Sequence, residues 1–159
     1  MMRALRIFAS RPETESIALE ISPFGAQGNA TGNRFKKCWL AYNHEDGLRL
    51  RDADNNEILE NQCVANEYVG IHLTTAQDSD LLGAIEGSRD NQIEGNWCPA
   101  NGAGIVVEWG CHDNHIVENI ALASFEVDVF DGNAPPPCAN TWLLNLFILR
   151  AGAGATCIF

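Results

Sequence analysis

One short pattern, met five times, limits what this chain can fold into more than any other feature. It reads Asn, any residue, a large apolar residue, two more residues, then Asn, as in Asn91-Gln-Ile-Glu-Gly-Asn96. Related copies open at Asn33, Asn56, Asn114 and Asn140, and only in the first does Cys38 replace the closing Asn. The opening asparagines are 23, 35, 23 and 26 residues apart. Two intervals are equal and the others carry 12 and 3 extra residues, so a fixed unit recurs with loop insertions. Of the 15 asparagines, 12 stand zero, five or ten residues after an opening Asn. Apolar residues keep the same register, with Phe35, Ile58, Ile93, Ile116 and Trp142 two residues in. An Asn-rich flexible chain would not hold that register.

Each unit runs into a short alternating segment: Gly47-Leu-Arg-Leu-Arg51, Gly70-Ile-His-Leu-Thr74, Gly104-Ile-Val-Val-Glu108 and Glu126-Val-Asp-Val-Phe130. Alternation predicts strands with Leu48, Leu50, Ile71, Leu73, Ile105, Val107, Val127 and Val129 inward. A unit of this size cannot cover its own apolar side. Stacking units in parallel lets each isoleucine cover the next, as in a solenoid. Asparagines at the corners would supply left-handed backbone angles and side-chain amides that bond up the stack.

The pattern N-x-I-x-x-N…N…G-I-x-L, from Asn33 to about residue 147, resembles the right-handed parallel β-helix repeat. Pectate-lyase-like enzymes, polygalacturonases, mannuronan epimerases and periplasmic copper-maturation β-helix proteins share it. The resemblance implies an all-β, single-stranded right-handed parallel β-helix of about five coils. Residues 1–32 would form a cap or a degenerate first coil, and residues 33–159 the repeats, with an insertion at about 75–89. It also implies secretion or a periplasmic location for similar proteins, although Met1 to Ser10 does not read as an export signal. None of the family's catalytic motifs is matched.

Net charge is −11, from 10 Lys+Arg against 21 Asp+Glu. Such a field repels phosphate backbones and anionic lipid, which argues against nucleic-acid and membrane partners. No apolar run approaches the ~20 residues that span a bilayer. The six cysteines (38, 63, 98, 111, 138 and 157) include no CxxC pair. They read as reduced, mostly buried small apolar residues, with Cys63 and Cys98 in one inward stack.

Outward neighbours of the inward residues give the candidate sites. Arg49, His72, Val106 and Asp128 would form one row and Arg51, Thr74, Glu108 and Phe130 another, with coils ~4.8 Å apart. The resemblance places a polysaccharide on such a face. Arg49, Arg51 and His72 could then supply the cation and base of a β-elimination. Glu108 and Asp128 could supply the carboxylate pair of a glycoside hydrolase; Thr74 and Phe130 would contact the sugar. A solvent-wetted sheet face gives the same alternation. For metals, Asp52, Asp54, Asp78 and Asp80 are candidate Ca²⁺ ligands. Cys111, His112, His115 and Cys138 have the donors for Zn²⁺ or copper. Three functions follow: a carbohydrate-active module, a structural module or part of a larger β-helix, and a metal-handling protein. The small apolar tail Ala151–Phe159 would plug the last coil, leave it to pack on a partner such as a second copy, or lead into further coils.

Overall fold

The computed structural model describes residues 6–7, 19–22, 30–75 and 87–159. Strands β1 (Arg6–Ile7), β2 (Leu19–Ile21) and β3 (Ala30–Thr31) precede the repeats. The Asn33 coil holds β4 (Arg34–Lys36), β5 (Trp39–Ala41), β6 (Leu48–Arg51) and β7 (Ala53–Asp54). The Asn56 coil holds β8 (Glu57–Leu59), β9 (Gln62–Val64) and β10 (Val69–Thr74). Then come β11 (Gln92–Glu94) and β12 (Ala103–Val107), β13 (His115–Val117) and β14 (Val127–Asp131), and β15 (Thr141–Leu143) and β16 (Arg150–Ala151). Every pairing is parallel and joins one coil to the next. The sheets run β2-β6-β10-β12-β14-β16, β4-β8-β11-β13-β15 and β1-β5-β9. The third continues as single bridges from Gln62 through Trp97 and Ile120 to Leu146. The molecule is a parallel β-helix of about five coils, as the repeat predicts.

The apolar register is the core. Ile58, Ile93, Ile116 and Trp142 stack directly over one another and are almost fully buried, with Phe35 partly buried above them. Leu48, Ile71, Ile105 and Val129 form a second column. Each such side chain contributes about 2 kcal/mol through burial. Close stacking leaves no space beside Gly70, where a Cβ would sit 2.6 Å from the Gly104 carbonyl oxygen.

The asparagines do something narrower than the corner role expected of them. The left-handed angle falls on the residue before the Asn: Tyr42, Asn55, Glu60, Ala65, Asp90, Ala100, Asp113, Glu118 and Leu144 all have φ between 52° and 59°. The Asn itself bonds up the stack. Asn56 Oδ1 accepts from Asn33 N (2.9 Å) and Nδ2 (3.0 Å), and Asn91 Oδ1 accepts from Asn56 N (2.9 Å) and Nδ2 (3.1 Å). Asn91 Nδ2 also donates to the Ala53 carbonyl at 2.7 Å and to Asn114 Oδ1 at 2.9 Å. Three such ladders satisfy the buried backbone of the corners.

Two expectations need correction. In the fourth coil Val129, not Val127, lies beside Ile105, and Phe130, not Asp128, lies beside Val106. A two-residue slip keeps the inward and outward sets intact, so alternation alone cannot see it. The six cysteines are not all reduced: Cys138 and Cys157 form a disulfide with Cα atoms 5.7 Å apart. It ties down the tail, where Ile158 is fully buried and joins the same core as Trp142. The tail is a plug. Cys38, Cys63, Cys98 and Cys111 are free and buried, as expected. Most of the insertion, residues 76–86 with Asp78 and Asp80, lies outside the described residues.

Candidate functional site

Strands β6, β10 and β12 bring the expected Arg49, His72 and Glu108 together on the outward face of the long sheet. His72 lies beside Arg49 on one side and Val106 on the other. Its Nδ1 is 2.9 Å from Asp46 Oδ2 and its Nε2 is 3.0 Å from Glu108 Oε1. Arg49 Nε donates to the same Asp46 oxygen at 2.6 Å, and its Nη2 donates to Glu45 at 3.1 Å. Thr74 Oγ1 donates to Glu108 Oε2 at 2.5 Å. The other Asp46 oxygen accepts from Val69 N at 3.1 Å, which fixes the carboxylate at the start of β10. Asp46 has a side chain 1% exposed, His72 15% and Glu108 43%.

Charge follows geometry. An imidazole with a carboxylate oxygen on each nitrogen must donate from both, so His72 is an imidazolium. Burial alone would lower its pKa; the hydrogen bonds to Asp46 and Glu108 outweigh that and raise it to about 9. Burial would raise Asp46, but the bond and charge of His72 and the Arg49 guanidinium hold it below the usual carboxylate range. The His72 bond likewise lowers Glu108. A protonated His72 has no lone pair with which to take a proton, so the base role read from the sequence does not fit this arrangement.

The remaining candidates scatter. Arg51 lies beside Thr74 in the sheet and reaches toward Glu20 at 3.7 Å. Phe130 pairs with Val106, away from Thr74 and Glu108. Asp128 is buried and accepts from the backbone N–H groups of Ser124, Ile148 and Leu149, at 3.1, 2.9 and 3.0 Å. It closes the last coil and is not a partner for Glu108. Glu45 and Asp46 were missed because they sit in the turn before β6, where alternation is silent. Their one sequence signal is the spacing of acids three and four residues before Arg49.

The four-residue metal set does not assemble. Cys138 is held in the disulfide. Cys111 is fully buried, and burial pushes its thiol up to about 12. His112 and His115 remain on the surface, with His112 Nδ1 2.7 Å from Asp113 Oδ2. Among the described residues no three His, Cys, Asp or Glu side chains are placed to hold an ion. Asp54 pairs with Arg89 at 3.2 Å instead of opening toward a cation.

Residues 13–143 match the model of the NosD family, described as periplasmic copper-binding protein (NosD). The match spans most of the chain, which therefore belongs to that family of β-helix proteins. No curated protein and no solved structure gives a significant match. Of the relatives that the repeat resembles, the match falls on the copper-associated one and lends no support to the polysaccharide-active ones.

Proposed function

We propose that this chain is a periplasmic β-helix accessory protein that handles copper as exchangeable cargo. The observation that carries the reading is the family match over residues 13–143. Two features support the compartment. Disulfides such as Cys138–Cys157 persist where the surroundings are oxidising. The four free thiols are all buried, as cysteines must be to stay reduced there. The donor set favours cargo over a resident ion. The thiols are shielded by burial, and the half-buried His112 and exposed His115 offer imidazoles, which suit copper, without closing a cage among the described residues. An open, under-coordinated ion exchanges readily with a partner.

The test is a titration of the purified full chain with Cu²⁺, and with Cu⁺ buffered by a chromophoric chelator. The expected result is uptake of one ion that competing chelator withdraws, and loss of most of that uptake in His112→Ala/His115→Ala. A wild-type chain that takes up neither ion overturns the reading. Uptake unchanged in the double variant moves the site away from this turn.

A further inference from the structure

The outer strip, already partly apolar at Trp39, Trp97 and Ile120, loses its charges at the last coil. Residues 34–42 carry Arg34, Lys36 and Lys37; residues 57–65 carry Glu57 and Glu60; residues 92–100 carry Glu94; residues 115–123 carry Glu118. The equivalent strip of the last coil, Thr141-Trp-Leu-Leu-Asn-Leu-Phe-Ile-Leu149, has no charge. In the stacked register Lys36, Leu59, Glu94 and Val117 are followed by Leu143. At the next corner, Lys37, Glu60, Gly95 and Glu118 are followed by Leu144. These leucines do not serve the interior, which Trp142 and Ile158 already close. Leu144 is 75% exposed with φ 56°, Ile148 is 83% exposed, and Leu143, Leu146 and Leu149 are about half exposed. A bulky apolar residue in a left-handed corner is an outlier, and a contiguous apolar patch facing water marks an interaction site. The fold alone does not ask for it.

The same strip contains β15, which has a neighbour on one side only among the described residues. Such an edge invites another strand, and this one lacks the charges and prolines that blunt edges elsewhere. We infer that this strip is a self-association surface, on which a second copy of the chain docks tail to tail about a two-fold axis. Charge selects the occupant. A neutral apolar strip matches its own copy without desolvating an ion, despite the net charge of −11. A head-to-tail arrangement would instead press the leucines against the end that carries Arg34, Lys36 and Lys37. A contact using one patch twice is also closed, so it stops at two copies.

The experiment is sedimentation velocity on the full chain across a wide concentration range, beside Leu143→Glu/Leu144→Glu. That variant gives the last coil the residues earlier coils carry there, Glu94 at one position and Glu60 or Glu118 at the other. Circular dichroism and melting of the variant control for folding. The expected result is a concentration-dependent dimer in the wild type and a folded monomer in the variant. A wild-type monomer throughout overturns the inference. Growth beyond two copies overturns the two-fold arrangement, and a folded variant that still dimerises overturns the surface.

Discussion

His72 titrates between two carboxylates that the fold keeps ionised, and that placement makes stability depend on pH. Its pKa rises from 6.5 to about 9 on folding. The folded state therefore binds the proton more tightly, and the stabilisation is fully present below pH 6.5. It is lost as pH rises through about 9. A shift of this size corresponds to about 3 kcal/mol. Urea midpoints of the wild type should fall from pH 6 to pH 10, and His72→Gln should remove most of that fall. Equal slopes for the two proteins would show that His72 is not the group responsible. The sequence made part of this network legible: alternation put Arg49, His72, Thr74 and Glu108 on one face, where the structure has them. It could not supply Asp46, which enters from a turn. It misplaced Asp128 because a slip of two residues preserves parity. Counting from the opening asparagines corrects that: Leu48, Ile71 and Val129 each stand fifteen residues after Asn33, Asn56 and Asn114, and Ile105 stands fourteen after Asn91.

Within each ladder an asparagine couples one corner to the next, and a rung's worth depends on where it lies. Asn91 sits mid-ladder and fully buried, bonded to Asn56 above, Asn114 below and the Ala53 carbonyl across the turn. Asn145 ends its ladder, accepting from Asn119 and donating to the Ile116 carbonyl from a partly exposed position. Asn91→Ala strands several buried polar groups at about 1–3 kcal/mol each, whereas water can replace the partners lost in Asn145→Ala. Denaturant unfolding should show Asn91→Ala as the more damaging by a few kcal/mol; the reverse order would mean the ladder does not carry the corners. Spacing alone announced these ladders, since register is a property of sequence. The division of labour was hidden. Either the Asn or its predecessor could take the left-handed angle, and only the hydrogen bonds show that the amide is needed in the ladder while Glu60, Ala65 or Asp90 turns the chain.

A stack in which each coil touches only its neighbours has no single centre of stability, so its ends fray first. At the C-terminal end three devices answer this. Asp131 accepts from Trp142 Nε1 at 2.9 Å and from Asn140 Nδ2 at 3.2 Å, which ends the first ladder. Gly152 and Gly154 lie so close to Asp131 and Asn133 that a side chain at either would collide with the backbone. The Cys138–Cys157 disulfide then holds Ile158 in the core. Closing a loop of 19 residues is worth about 3 kcal/mol, and in a one-dimensional stack that gain is felt locally. Reduction, or Cys138→Ser/Cys157→Ser, should therefore speed amide exchange through residues 138–158 while the β8–β10 coil keeps its protection. Mass spectrometry after deuterium exchange reads both regions in one experiment. A uniform loss of protection would mean instead that the coils unfold as one unit, and that the clamp stabilises the whole helix.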